Sequence, residues 1–215
     1  MKEFKKNNLK IMLGDNMQLM KDYSDNYFDL AIVDPPYGYG TKDTSILNFR
    51  KKDIKEWNIA PSDNYFIELF RISKDQIIWG GNYFSYIWKY GGRCFIYWHK
   101  GNPVNNFADG ELAWTSFDKN AKQFEYRYYG NLEGNSSASK KFHPTQKPIQ
   151  LYNWILKNYA SKDFKILDTH LGSGSSAIAS FYYACKEFVG IEIDTEYYND
   201  SIKRIKQKTA QMKLL

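Results

Sequence analysis

Cysteine is nearly missing from this sequence. Cys94 and Cys185 are the only two in 215 residues, which argues against a disulfide scaffold and points to a reducing compartment, the cytoplasm. Long apolar runs are missing too: hydrophobic content is 43%, but no uninterrupted stretch approaches the ~18 residues needed to span a bilayer. The opening, Met1-Lys2-Glu3-Phe4-Lys5-Lys6-Asn7-Asn8, has no apolar segment of the signal-peptide type, so no membrane association is expected. Histidine is scarce, and neither His99 nor His170 is spaced with cysteines or acids as metal ligands are, so no metal is expected. No internal repeat or long linker is visible.

What is present is an alternation of short apolar runs and amphipathic stretches. Leu9–Leu13 reads as a strand and Asn16–Tyr23 as a helix, with Asp15 or Asn16 as its N-cap. The β-branched, apolar run Leu30–Asp34 reads as a buried strand. Gly38–Ile59 is polar and reads as a loop with some helix. Ser62–Ser73 carries Phe66, Leu69 and Phe70 on one helical face. Gln76–Trp79 is a strand ending at Gly80-Gly81. Tyr83–Lys89 reads as a short helix stopped by Gly91-Gly92. Cys94–Trp98 and Glu111–Phe117 are further strands, and residues 119–142 show no clear period. Pro148 opens a helix striped by Tyr152, Ile155, Leu156 and Tyr159. The strand Phe164–Asp168, helix Ser175–Lys186, strand Glu187–Glu192 and helix Glu196–Lys208 complete the chain. The pattern predicts an α/β, doubly wound, mostly parallel sheet in a single domain.

Two motifs stand at strand ends. Asp34-Pro35-Pro36-Tyr37 closes the run Phe28–Asp34. Two prolines cannot donate to a sheet ladder, so the strand stops with a carboxylate, a free Pro35 carbonyl and an aromatic ring at its carboxyl end. That set suits a planar group with an exocyclic amine. It is also an ordinary strand exit when read alone. The second motif is Asp168-Thr169-His170-Leu171-Gly172-Ser173-Gly174, a strand running into a glycine turn and a helix. Glycines admit close backbone approach, and the helix start offers unpaired N–H groups. Glu192 follows Gly172 by 20 positions at the end of the next strand, where a carboxylate can bind a ribose diol. Strand, turn, helix, strand and acid together form a nucleoside-cofactor signal. An unliganded turn is the bland alternative.

These residues resemble the amino-methyltransferases that methylate exocyclic nitrogens of DNA bases with S-adenosylmethionine. Asp34-Pro35-Pro36-Tyr37 resembles their motif IV and His170-Leu171-Gly172-Ser173-Gly174 their motif I. His143-Pro144-Thr145-Gln146-Lys147-Pro148 is similar to the segment preceding motif I in the permuted β group. Tyr97-Trp98-His99-Lys100-Gly101-Asn102-Pro103 resembles that group's Trp-x-Lys-x-x-Pro strand end. The resemblance runs from about Leu9 to about Ile205. It departs at Asp168-Thr169-His170, where the family usually has Asp-Pro-Phe and the Phe packs on the cofactor.

The resemblance implies a Rossmann-like methyltransferase fold, circularly permuted, with S-adenosylmethionine as cofactor. Residues 9–100 form a catalytic half, 101–142 a small recognition insert and 143–210 a cofactor half. The catalytic residues are then Asp34, Pro35, Pro36 and Tyr37. Asp168, His170, Gly172 and Gly174 line the cofactor's methionine end, Glu192 holds its ribose, and Thr145 and Lys147 hold its carboxylate. Asp15 reads equally as a ligand of the cofactor's adenine amine or as a plain helix N-cap. In such a permuted sheet the chain ends lie near each other, and the Gly172–Gly174 turn neighbours the Asp34–Tyr37 exit.

The implied substrate is DNA, duplex with its target base flipped out. Net charge is +6 with a pI near 9.0, which favours a polyanion only weakly. Aromatic content is 18%, leaving rings for stacking on bases. Lys42, Arg50, Lys51, Lys52 and Lys55 form a basic loop near motif IV that grips a DNA backbone or is simply solvated. Lys100 and Asn102, with Asn105 and Asn106, are candidate DNA contacts. Methylation at cytosine carbon 5 requires a cysteine nucleophile, usually after proline. Cys94 follows Arg93 and Cys185 follows Ala184, which argues against it. Asp at position 34 leans towards adenine N6 over cytosine N4 within the resembling family. An RNA substrate, a non-catalytic nucleic-acid-binding module and a homodimer stay open.

Overall fold

The structure is a computed structural model that describes residues 2–38, 59–101, 108–129, 132–133, 136–137 and 146–210. The elements in chain order are β1 (Lys2–Lys6), β2 (Leu9–Leu13), α1 (Asn16–Met20), β3 (Phe28–Val33), α2 (Asp63–Ile72), β4 (Ser73–Trp79), β5 (Phe95–His99), β6 (Gly110–Thr115) and β7 (Lys122–Glu125). They continue with β8 (Tyr128–Tyr129), β9 (Leu132–Glu133), β10 (Ser136–Ser137), α3 (Ile149–Tyr159), β11 (Lys165–Asp168), α4 (Ser175–Tyr183), β12 (Glu187–Glu192) and α5 (Thr195–Ala210).

Among the described residues, nine strands make one sheet in the order β1-β2-β12-β11-β3-β4-β6-β5-β7. Its centre, β2-β12-β11-β3-β4, is parallel throughout. Because both faces are covered, its strands are near-continuous apolar runs. In β3, Leu30 and Ile32 enter the core shared with Leu151, Tyr152, Ile155 and Leu156 of α3. Ala31 and Val33 enter the opposite core, with Phe66, Leu69 and Ile72 of α2. All five parallel strands present their carboxyl ends at one edge, where ligands bind in open α/β sheets. β8, β9 and β10 form a separate small antiparallel sheet.

The first and last described elements meet, in line with the expectation for the chain ends. β2 pairs in parallel with β12, Lys2 Nζ donates to Asn199 Oδ1 at 2.7 Å, and Lys6 Nζ donates to Thr209 Oγ1 at 2.7 Å. α1 stops at Met20 rather than Tyr23, and β4 starts at Ser73 rather than Gln76; four further elements differ from the sequence reading. β1 was not expected: it is a lysine-rich edge strand antiparallel to β2, and such strands lack the apolar alternation that marks a half-buried one. Tyr83–Lys89 is not an α-helix. Two 3₁₀ turns, Gly81–Tyr83 and Ser85–Tyr90, take its place, closed by Trp88 Nε1 donating to the Gly81 carbonyl at 2.8 Å. The helix from Ser175 stops at Tyr183 rather than Lys186, because Ala184 turns left-handed at φ 57° and Asn8 Nδ2 takes up the Ser180 and Cys185 carbonyls. Finally, residues 101–142 are not wholly an insert: β6 and β7 are strands of the main sheet. No helix among the described residues is long and apolar enough to cross a membrane.

Candidate active site

The pairing of β3 with both β11 and β4 brings the two motifs together. Leu30 and Ala31 lie opposite Ile166 and Leu167, and Val33 lies opposite Ile78. Asp34 therefore leaves the sheet between the Asp168 turn on one side and Trp79-Gly80 on the other. Its side chain is only 15% exposed. Oδ1 accepts a hydrogen bond from the Tyr37 hydroxyl at 2.8 Å, and Oδ2 lies 2.5 Å from Lys147 Nζ. Burial pushes the Asp34 carboxyl up, with Lys147 pulling it back and Glu111 pushing again upward.

Tyr37 is held from the end of β4. Gly80 has φ 67°, and a Cβ there would fall 2.0 Å from Tyr37 Cε1, so only glycine leaves the ring its place. Tyr83 stacks against the Tyr37 ring with centroids 5.0 Å apart. Burial, then the Asp34 charge, pushes the Tyr37 hydroxyl far up, so it stays a donor to Asp34.

The glycine turn is assembled from within. Asp168, 2% exposed, accepts from the His170 N–H at 3.0 Å and from Ser176 Oγ at 2.5 Å. Burial raises its pKa to about 7, against the pull of those two donors. Gly172 and Gly174 both take positive φ, 51° and 74°, and Gly174 caps α4. Glu192 accepts from the Gly172 N–H at 2.8 Å and from the Asp194 N–H at 2.9 Å. The His170 ring lies between Asn16 Nδ2 (3.2 Å) and Thr169 Oγ1 (3.0 Å), edge-on to Tyr65, and burial lowers its pKa to about 3.

Two expected roles change, those of Lys147 and Lys100, and the helix-cap reading of Asp15 is observed. Asp15 accepts from the Met17 N–H at 2.7 Å and so is the N-cap of α1, one of its two readings. Lys147 is not free for a cofactor carboxylate: its side chain is 4% exposed, and its ammonium lies 2.5 Å from Asp34 Oδ2 and 3.0 Å from Glu111 Oε2. Lys100, a candidate DNA contact, turns inward to pair with Glu111 Oε1. Lys42, Arg50, Lys51, Lys52, Lys55, Asn102, Asn105, Asn106, His143 and Thr145 lie outside the described residues.

Three participants escaped the sequence reading. Glu111 shows there only as an acid at the start of a strand. In the structure the Lys147 and Lys100 cations overcome its burial and hold its pKa at about 2. Arg204 of α5 donates to the Ser173 carbonyl and to Ser175 Oγ, each at 2.8 Å, bracing the turn from a helix face that sequence marks only as charged. Gly80 was visible as a strand terminator, but its contact with Tyr37 is long-range.

Comparison with known proteins fits this geometry. The model of a DNA methylase family, of the N6/N4 type, matches residues 78–203. The chain belongs to the N6/N4 DNA methylase family. Among relatives, this methylase is 26% identical to the type II methyltransferase M2.MboI of Moraxella bovis, across 96% of this chain and 90% of that protein. It is 25% identical to the type II methyltransferase M.HpaI of Haemophilus parainfluenzae, across 91% and 74%. Among solved structures, the M1.HpyAVI-SAM complex superposes with a TM-score of 0.60 at 22% identity, covering 91% of this chain and 99% of that one. The cytosine-N4-specific PvuII DNA methyltransferase superposes with 0.62 at 12% identity, covering 94% and 90%. The fold of this methylase is the Rossmann-like methyltransferase fold.

Proposed function

We propose that this methylase transfers a methyl group from S-adenosylmethionine directly to the N6 amine of adenine in duplex DNA, the target base being flipped from the helix. One observation carries the reading: the Asp34 carboxylate, with Tyr37 bonded to it, stands at the end of β3, the direct neighbour of β11 and its glycine turn. The adjacency of the first and last parallel strands supports the permuted motif order.

The donor set at the sheet edge fits such a cofactor. Glu192 uses each carboxylate oxygen on one backbone N–H and keeps further lone pairs for ribose hydroxyls. Asp15 is exposed at the end of β2, and its second oxygen is a candidate acceptor for the adenine amine. Gly172 and Gly174 let the backbone approach the methionine end, with Asp168 and His170 shaping the turn. M1.HpyAVI, a structural neighbour, was solved as a SAM complex. When bound, S-adenosylmethionine supplies a methyl group already activated on a sulfonium.

The chain's own task is the amine. Its lone pair is delocalised into the base ring and makes a poor nucleophile. Hydrogen bonds to the Asp34 carboxylate and the Pro35 carbonyl favour a tetrahedral nitrogen, Pro36 fixes the turn, and Tyr37 stacks on the base. Orientation of this kind supplies roughly 7–11 kcal/mol in favourable cases. Flipping costs a few kcal/mol, and stacking, about 1–3 kcal/mol per base, offsets part of it. The basic residues Lys42, Arg50, Lys51 and Lys52, with Asn102, are proposed DNA contacts, and the segments flanking β6 and β7 are proposed to recognise the target sequence.

The test is nucleoside analysis of unmethylated DNA and of RNA after incubation with enzyme and cofactor. N6-methyladenine in DNA is expected. N4-methylcytosine would retain the site and overturn the base, and methylation confined to RNA would overturn the substrate.

A further inference from the structure

Lys147 ties three parts of the molecule together. Its backbone carbonyl accepts from Ser175 Oγ at 2.8 Å, which fixes the segment before α3 against the start of α4. Its ammonium reaches across to Asp34 Oδ2 (2.5 Å), Glu111 Oε2 (3.0 Å) and the Tyr37 hydroxyl (3.5 Å). It lies 5.2 Å from the centre of the Trp79 ring. Glu111 is held in turn by Lys100. Asp34, Lys147, Glu111 and Lys100 thus form a row of alternating charge that sums to zero.

We propose that Lys147, seated by Glu111, is a positioning residue that keeps the Asp34 carboxylate ionised and oriented towards the target amine. The inference rests on the methyl-transfer reading of this site.

The need for such a residue follows from what surrounds Asp34. Tyr37 comes from its own loop, Tyr152 from α3, Glu111 from β6 and Asp168 from β11. β4 contributes Trp79, an uncharged ring against the same ammonium. Among the described residues Lys147 is the cation in this set; the other groups named are acids or phenols. Burial and the Glu111 charge both drive a proton onto Asp34. A protonated carboxyl turns one oxygen into a donor and leaves the amine only an uncharged, weaker acceptor. With Lys147 on Oδ2 and Tyr37 on Oδ1, each oxygen is fixed in place and keeps lone-pair capacity for the substrate.

This role separates experimentally from that of a cofactor ligand. Lys147→Met and Lys147→Arg are compared with wild type in three measurements: the pH profile of kcat on DNA, the Kd for S-adenosylmethionine, and a ¹³C NMR titration of the Asp34 side-chain carboxyl, assigned with Asp34→Asn. In Lys147→Met the acid limb of kcat and the Asp34 titration both move to higher pH by about 1–3 units, while the cofactor Kd stays within about twofold. Lys147→Arg restores most of the shift, which a general loss of folding would not. An Asp34 titration unmoved in Lys147→Met overturns the inference, as does a large loss of cofactor affinity with the acid limb in place. If wild type methylates no nucleic acid, the functional reading fails by itself, and the NMR titration still decides the role of Lys147.

Discussion

The backbone N–H of Gly172 donates to Glu192 Oε2 at 2.8 Å, tying the glycine turn after β11 to the tip of β12. The same carboxylate holds the Asp194 N–H. Glu192→Ala strands two donors, each worth about 1–3 kcal/mol when buried without a partner. The variant should unfold at lower urea and bind S-adenosylmethionine at least ~10-fold more weakly, since a ribose contact and the shape of the turn are lost together. Glu192→Gln, which keeps one acceptor, should fall between. Equilibrium binding beside urea denaturation checks this; unchanged affinity would remove Glu192 from the cofactor site.

Gly80→Ala should act on Tyr37. The added methyl would overlap the ring, and the left-handed backbone costs a non-glycine residue about 1–2 kcal/mol. The expected outcome is a kcat loss of roughly 10-fold or more with cofactor affinity retained. Steady-state kinetics with cofactor titration separates the two effects.

Asp168 predicts a pH dependence of stability. Its folded pKa is raised to about 7 by burial, while an unfolded aspartate ionises near 3.9. Its stabilising contribution is fully present below about pH 4 and is lost as pH rises through about 7, on the order of 4 kcal/mol. Asp168→Asn keeps an acceptor and cannot ionise, so it should flatten the loss of stability between these values. Urea denaturation across pH 4–8 measures the slope.

His170 should remain neutral at working pH. Burial lowers its pKa to about 3, so stability from the neutral ring is present above about pH 6.5 and lost as pH falls towards 3. Its ring resonances should show no titration between pH 5 and 8 by NMR. A midpoint near 6.5 would mean that the ring is not enclosed as described.

Much of this was legible in the sequence because it is local. The runs Leu9–Leu13 and Glu187–Glu192 match their strands end to end, and each candidate acid that closes a strand, Asp34, Asp168 and Glu192, stands at the sheet edge. The pairing of distant motifs followed from strand order. What was illegible depends on side-chain reach across the fold. Lys147 lies in a segment whose family resemblance favours the cofactor, yet its four-carbon stem extends to Asp34. Glu111 and Arg204 act through partners 36 and about 30 positions away in sequence respectively, distances that no local pattern encodes. The lysine-rich β1 lacks apolar periodicity because it is an exposed edge.

The most direct test of the account is transfer of a labelled methyl group from S-adenosylmethionine to unmethylated DNA by wild type and by Asp34→Ala, with cofactor affinity measured on both. The account predicts transfer by wild type, a loss of at least ~10²-fold in Asp34→Ala, and cofactor affinity within a few-fold. Transfer by Asp34→Ala at the wild-type rate would contradict it.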